Sequence, residues 1–264
     1  MRNSQPIGIF DSGIGGTSIW KEINLLLPNE NTIYLADSAN APYGNQSPEK
    51  IVELSIKNTE YLIGKDCKVI VVACNTATTN AIKSLRVLYN IPFVGIEPAI
   101  KPAALNTQLN CVGVLATKGT LSSSLFAETS DKFASNIKII EQVGTGIVEL
   151  IENGKLHSKE MTLLLEIYLK PMREKKIDYL VLGCSHYPYL TPQIQHILGK
   201  DVKIIDSGFA VAKQVKSIVT SSNLLSDSTD KGTHEFLSNA KDISTLKSII
   251  GALDGNYSIT SQKF

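Results

Sequence analysis

Short runs of β-branched residues, each closed by a turn or capping residue and followed by a helical stretch, govern what this chain can fold into. Ile7-Gly8-Ile9-Phe10, Thr32-Ile33-Tyr34-Leu35 and Val69-Ile70-Val71-Val72-Ala73 read as strands in the first half. Val112-Gly113-Val114-Leu115, Ile137-Lys138-Ile139-Ile140, Tyr179-Leu180-Val181-Leu182 and Val202-Lys203-Ile204-Ile205 continue the series. Strands apolar along their whole length are expected where helices cover both faces of a parallel sheet. The helices between them are legible too. Ser47-Pro48 supplies a cap and a first-turn proline, and Met161, Leu164, Leu165, Tyr168, Leu169 and Met172 recur at helical spacing. Pro171 is expected to break or restart that helix, while Thr191-Pro192 opens another that Gly199 closes. The alternation predicts an α/β sandwich.

The chain also reads as a duplication. Ile7-Gly8-Ile9-Phe10-Asp11-Ser12 has a counterpart in Val112-Gly113-Val114-Leu115-Ala116-Thr117, and the next strand follows at a similar distance in both halves. A third strand then ends in a cysteine in both, Val71-Val72-Ala73-Cys74-Asn75-Thr76 and Val181-Leu182-Gly183-Cys184-Ser185-His186. Likeness between two β-α-β units is common; the cysteine recurring at the same structural place gives this one its force.

Charge and composition exclude several classes of function. The 264 residues carry 26 Lys plus Arg against 25 Asp plus Glu, a net charge of +1, so no nucleic-acid or anionic-membrane partner is expected. The longest apolar run, Val69 to Cys74, is far too short to cross a bilayer. No apolar segment precedes Gly8, so no signal peptide is expected, and four cysteines in a chain of this length suit a reducing cytoplasm.

In open α/β sheets ligands bind beyond the carboxyl ends of the strands, where Cys74 and Cys184 both fall. A helix is expected to begin directly after Cys74, and the positive end of its dipole favours the thiolate. Asn75, Thr76 and Ser185 add short polar groups that could bind a carboxylate beside free backbone N–H groups. Two like domains facing each other would set these cysteines on opposite walls of one cleft. Inverting a carbon centre requires a proton to leave one face and another to arrive at the opposite face, which a thiolate and a thiol so placed provide. A lone cysteine at a strand end is more often core, and Cys67 and Cys111 are read that way. Metal binding is the weaker reading, because Cys184 and His186 lack the further ligands of a complete set, and no metal is expected.

Other segments have competing readings. Asp11-Ser12-Gly13-Ile14-Gly15-Gly16, with Asp37 after the next strand, invites a dinucleotide site, but Ser18 stands where the fingerprint needs glycine. Asp11 would repel a pyrophosphate and suits an amino group or a thiol; the alternative is a tight strand-to-helix turn. Tyr43, in the loop Asn40-Ala41-Pro42-Tyr43-Gly44-Asn45, is a candidate pocket wall, with a surface turn as the equal alternative. His186 lies near enough to Cys184 to influence its protonation, whereas His157, His196 and His234 are assigned nothing. Arg173-Glu174-Lys175-Lys176 reads as a solvated helix end and Thr220 to Thr233 as an exposed loop.

Four ordered motifs together resemble bacterial glutamate racemases. They are Ile9-Phe10-Asp11-Ser12-Gly13-Ile14-Gly15-Gly16, Ala41-Pro42-Tyr43-Gly44, Ala73-Cys74-Asn75-Thr76-Ala77 and Leu182-Gly183-Cys184-Ser185-His186-Tyr187-Pro188. The resemblance runs from about residue 6 to Asp206-Ser207-Gly208, and more loosely to the C-terminus. It implies interconversion of L- and D-glutamate without a cofactor, in the cytoplasm, supplying D-glutamate for peptidoglycan. By motif position Cys74 and Cys184 would be the acid/base pair. Asp11, Ser12, Tyr43, Gly44, Asn75, Thr76, Ser185 and His186 would bind substrate, with Asp11 and His186 also assisting the thiols. Thr117, Thr120 and Glu152 look like further family positions. The fold implied is two similar, pseudo-symmetric α/β domains with largely parallel sheets and the active site in the cleft between them. Residues 1–97 plus 207–264 would form the first and 98–206 the second. Ser185 departs from the family's usual Thr, keeping the hydroxyl and losing a methyl, so looser packing with activity retained is expected. The chain shows no N-terminal extension of the kind some members carry, which puts control by a cell-wall precursor in question. A homodimer is one assembly left open. The competing readings are a racemase of aspartate or another small acid, a binding module that retains the fold, and, least favoured, a nicotinamide oxidoreductase.

Overall fold

The computed structural model describes residues 4–134, 136–251 and 256–264. In the first half β1 (Ile7–Asp11), α1 (Thr17–Leu26), β2 (Thr32–Ala36), α2 (Pro48–Gly64), β3 (Val69–Val72), α3 (Asn75–Leu88) and β4 (Phe93–Gly95) alternate. After α4 (Ile100–Asn106) the pattern resumes with β5 (Cys111–Ala116), α5 (Lys118–Leu121), α6 (Ser124–Ala134) and β6 (Lys138–Val143). It continues through α7 (Ile147–Glu152), α8 (Lys159–Glu174), β7 (Tyr179–Gly183), α9 (Thr191–Leu198) and β8 (Lys203–Ile205). The last segment adds α10 (Gly208–Ser221), β9 (His234–Ser238), α11 (Ser244–Ile250) and β10 (Tyr257–Ser261).

These strands form two sheets, ordered β10-β9-β2-β1-β3-β4 and β6-β5-β7-β8, with every pairing parallel. The order β2-β1-β3-β4 in the first sheet is the order β6-β5-β7-β8 in the second, so the halves share a topology as well as a sequence echo. The chain returns to the first sheet at its end, where β9 pairs with β2 in the register Thr32↔His234 and α10 packs on α1.

Side-chain alternation divides each central strand between two cores. Ile7, Ile9, Val69 and Val71 from the first sheet join Leu115, Leu180 and Leu182 from the second in one continuous apolar cluster. Phe10, Ile70 and Val72 turn to the outer layer of the first sheet, while Val112, Val114 and Val181 turn to that of the second. Both faces are dry, which is why the strands read as continuous apolar runs.

Pro171 does not break its helix, as α8 runs unbroken to Glu174. Its missing N–H orphans the carbonyl of Ile167 on the solvent face, where water can serve it, while Leu165, Leu169 and Met172 on the buried face anchor both sides of the ring. The segment read as a loop from Thr220 begins slightly later, since α10 extends to Ser221. Three strands escaped the sequence reading, β4, β9 and β10.

Candidate active site

Cys74 and Cys184 lie just beyond the ends of central strands, one on each sheet, Cys184 directly after β7 and Cys74 one residue past β3. Cys74 is the N-cap of α3, and its Sγ accepts the Ala77 N–H at 3.4 Å. The helix therefore starts where the sequence placed it, but the expected ease of forming the thiolate does not hold. Burial is the largest effect and pushes the Cys74 thiol well up; the Asp11 charge adds to it, and the Ala77 N–H and Ser12 hydroxyl only partly offset them. Desolvation outweighs the helix terminus here. Cys184 bears on Cys74 electrostatically, so the two sulfurs are close enough to feel each other's charge.

Asp11 lies behind Cys74, fully buried, its Oδ2 accepting the Gly16 N–H at 2.8 Å. Ser185 reaches across from the second sheet and donates to the same carboxylate, at 3.2 Å to Oδ1. The hydroxyl that Ser185 shares with threonine is thus the part in use. Burial raises the Asp11 carboxyl above the ordinary range, although the neighbouring His186 and the Gly16 N–H pull it down.

On the Cys184 side, His186 Nδ1 stands 3.8 Å from the sulfur, and Nε2 stands 2.6 Å from Glu152 Oε1. The Gly15 N–H lies farther from Nε2, at 3.2 Å. The shorter, charge-assisted contact places the Nε2 proton on the histidine, aimed at the carboxylate. Burial alone would lower the pKa of His186, but its contacts with Cys184 and Glu152 prevail and hold it well above the ordinary value. Glu152 also accepts the Ile14 N–H at 2.7 Å and the Ser38 hydroxyl at 3.0 Å, both from the first half.

The glycine loop acquires a physical reason at this point. A Cβ on Gly13 would fall on the Glu152 carboxylate, and one on Gly15 on the His186 ring. The space that a dinucleotide fingerprint keeps for pyrophosphate is filled by this acid–histidine pair. Asp37 is likewise committed elsewhere: it accepts the Tyr43 hydroxyl at 2.5 Å, Asn40 Nδ2 at 2.7 Å and Asn239 Nδ2 at 2.5 Å. Asn58 Nδ2 donates to the Tyr43 oxygen at 3.0 Å, so that ring is a fixed, buried wall and not a surface turn.

Between these walls lies a tight cavity of only about 10 Å³. Ser12, Tyr43, Gly44, Cys74, Asn75 and Thr76 line it from the first half, and Cys184, Ser185 and His186 from the second. Asp11 stands outside the lining. Pro42, Thr117 and Val148 complete it; the apolar Val148 carried no sequence signal for such a role. Thr117 Oγ1 lies 2.8 Å from Thr76 Oγ1 and 3.0 Å from Thr120 Oγ1, a hydroxyl cluster closing one end. Asn75 is the informative residue, since both its amide nitrogen and its amide oxygen are buried with no hydrogen-bond partner. Buried amides are rarely left so, and this one offers a donor and an acceptor to a ligand. All four cysteines are free thiols. Among the described residues no group of three or more His, Cys, Asp or Glu is placed to hold a metal ion, and no helix is long and apolar enough to cross a membrane.

Residues 7–215 match the Asp/Glu/hydantoin racemase family. The chain is 43% identical over 257 residues to the glutamate racemase of Ectopseudomonas mendocina, covering 97% of both chains. It is 46% identical over 223 residues to that of Pseudomonas putida, covering 84% of both. Among solved structures, the glutamate racemase isoform RacE1 of Bacillus anthracis superposes with a TM-score of 0.85 at 28% identity over 98% of both chains. The Francisella tularensis glutamate racemase in complex with D-glutamate gives 0.83 at 31% identity, again over 98% of both.

Proposed function

The chain belongs to the Asp/Glu/hydantoin racemase family, and we propose that it is a glutamate racemase in which Cys74 and Cys184 are the two acid/base groups. One observation carries this reading: two thiols from equivalent strand ends of a duplicated fold face one small cavity, beside an Asn75 amide with no internal partner.

The chemistry follows from the two walls. One sulfur, as thiolate, takes the α-proton of glutamate and becomes a thiol; the other, as thiol, gives its proton to the opposite face and becomes a thiolate. The α-carbon is inverted and the protonation states of the cysteines have exchanged, so the reverse reaction starts from the product complex. No redox change or group transfer is involved, and the protein supplies both proton carriers. Asp11 and Ser12 attend Cys74, whereas His186, set by Glu152, attends Cys184. The Asn75 amide, the Thr76 hydroxyl and the backbone N–H groups of these two residues at the start of α3 provide donors for the substrate's carboxylate, where negative charge builds as the proton leaves. Tyr43, Gly44 and Ser185 complete the enclosure. We assign the walls to two domains, 1–97 with 207–264 and 98–206. The product role we assign is supply of D-glutamate for peptidoglycan in the cytoplasm, without a cofactor.

The test is α-proton exchange in D₂O followed by NMR, with circular dichroism on the same samples, starting separately from each enantiomer of glutamate and of aspartate. Deuterium uptake with decay of the optical signal from both glutamate enantiomers is expected. Exchange confined to aspartate would move the assignment to that substrate, and exchange from neither would leave a binding module.

A further inference from the structure

The cavity that holds the two thiols has a second, more open cavity of about 180 Å³ beside it, reaching exposed Lys118 and half-buried Glu149. Pro42, Gly44, Thr117 and Val148 line both, so these residues form the partition between the outer space and the reacting groups.

Two glycines meet across that partition. Gly44 comes from the turn Tyr43–Asn45 of the first half and Gly119 from α5 of the second. A methyl group on Gly119 would stand 2.8 Å from Thr76 Cγ2 and 3.3 Å from Gly44 Cα, and one on Gly44 would stand 3.0 Å from Thr117 Cβ. Carbon atoms ordinarily rest ~3.5–4.0 Å apart, so the halves have approached to a limit that only a missing Cβ permits. Neither glycine has a positive φ, so close approach and not backbone conformation is what excludes a side chain. The hydroxyls of Thr76 and Thr117 also meet across the seam at 2.8 Å, and two longer contacts flank them. Asn45 Nδ2 donates to Glu149 Oε1 at 3.3 Å, and Asn80 Nδ2 donates to the Gly119 carbonyl at 3.4 Å.

We infer that Gly119 sets how completely the cleft closes over its substrate, the Gly44–Gly119 seam being the door between the outer cavity and the two thiols. Gly119 is a positioning residue: it lets Thr76 and the Gly44 turn draw together around the ligand, so that water is excluded and the reacting atoms are held in line. The inference rests on the racemase reading given above.

Gly119→Ala places one methyl in the seam at a backbone conformation alanine tolerates, and a slight parting of the halves relieves its contact with Thr76, so only a small fall in melting temperature is expected. Turnover of both glutamate enantiomers is expected to fall, kcat/KM dropping about 100-fold. Thr76→Ser removes the carbon that the new methyl meets and keeps the hydroxyl. The double variant Thr76→Ser/Gly119→Ala, referred to Thr76→Ser alone, is expected to regain most of that loss. An inactive wild type would overturn the racemase reading itself. An active wild type with an unimpaired Gly119→Ala, or a double variant that recovers nothing, would overturn the seam alone. Should Gly119→Ala not accumulate as folded protein, Asn45→Ala loosens the same mouth without adding an atom. KM for both enantiomers is then expected to rise about fivefold, the worth of one hydrogen bond, and an unchanged KM would count against the door.

Discussion

Glu152 and His186 meet at 2.6 Å, Oε1 to Nε2, while the opposite ring nitrogen faces Cys184 Sγ at 3.8 Å. The carboxylate in this contact is held by the second half through α7 and by the first half through Ile14 and Ser38. Protonation beside Cys184 therefore depends on a group that is fully seated only when the two halves are together. Closure of the cleft and the acid/base state of one wall are coupled through a single side chain.

Replacing Glu152 by Gln keeps the shape and removes the charge. His186 is held above its ordinary value of 6.5 by Cys184 and Glu152 against the opposing effect of burial, so losing Glu152 lowers it. The alkaline limb of kcat/KM is expected to move to lower pH, and each unit of movement removes about tenfold in the protonated fraction on that limb. Stability should follow the same sign. A raised histidine stabilises the fold fully below its unfolded pKa and loses that contribution as pH rises through the folded one. Glu152→Gln is thus expected to cost more melting temperature near about pH 6 than near about pH 9. An unmoved pH profile would break the proposed link between Glu152 and Cys184.

In the proposed mechanism each cysteine works on one face of the substrate, so the single variants should be inactive in a directional way. Cys74→Ala and Cys184→Ala are each expected to lower racemisation by about 1,000-fold or more, the usual worth of a positioned acid or base. Each is expected to retain α-proton exchange from only one enantiomer, and not the same one. NMR in D₂O reads this directly. If both variants racemise normally, the two-thiol mechanism is wrong.

Gly15 should be intolerant for a reason unrelated to backbone freedom. A Cβ there lands on the His186 ring, which cannot retreat without leaving Glu152. Gly15→Ala is expected to cost about 1–3 kcal/mol of stability, as overpacking does, and to depress turnover of the protein that remains folded. Gly8→Ala is the control. Its Cβ would meet Cys67 Sγ at 2.9 Å, far along β1 from the cavity, so it should destabilise without changing turnover per folded molecule. Equal loss of turnover in both would mean that Gly15 acts on the fold alone.

The parts of the fold legible in the sequence were those whose signal is local. β1, β3, β5 and β7 are apolar on both faces because both faces are covered, and a continuous Val/Ile/Leu run follows from that alone. The cysteines stood out because the duplication put them at equivalent ends. What the sequence hid depends on distant partners. β9, His-Glu-Phe-Leu-Ser, and β10, Tyr-Ser-Ile-Thr-Ser, carry mixed polarity because they extend the sheet toward its exposed edge; β9 pairs with β2 across most of the chain, and β10 pairs in turn with β9. Glu152 ends a short helix with no local mark of its role, and only the family resemblance singles it out in the sequence. The protonation of Cys74 turned on burial, which the helix start after it does not reveal.

Asn239 shows how far such a distant partner reaches into the site. It follows β9 directly, donates to Asp37 Oδ1 at 2.5 Å and accepts the Ala39 N–H at 2.8 Å. Asp37 in turn fixes the Tyr43 hydroxyl, and the neighbouring Ser38 holds Glu152, so one returning strand end steadies both walls of the cavity. Asn239→Ala removes a hydrogen bond to a carboxylate and is expected to lower kcat/KM by about tenfold. Asn239→Asp should be worse at neutral pH, because it sets a second carboxylate against Asp37, and should recover as the pH is lowered and one of the pair takes up a proton. Alanine loses the bond at every pH and has no such recovery. Kinetics of the two variants across pH separate the cases: an Asp variant with wild-type turnover at neutral pH would show that the C-terminal segment completes the sheet without steadying the site.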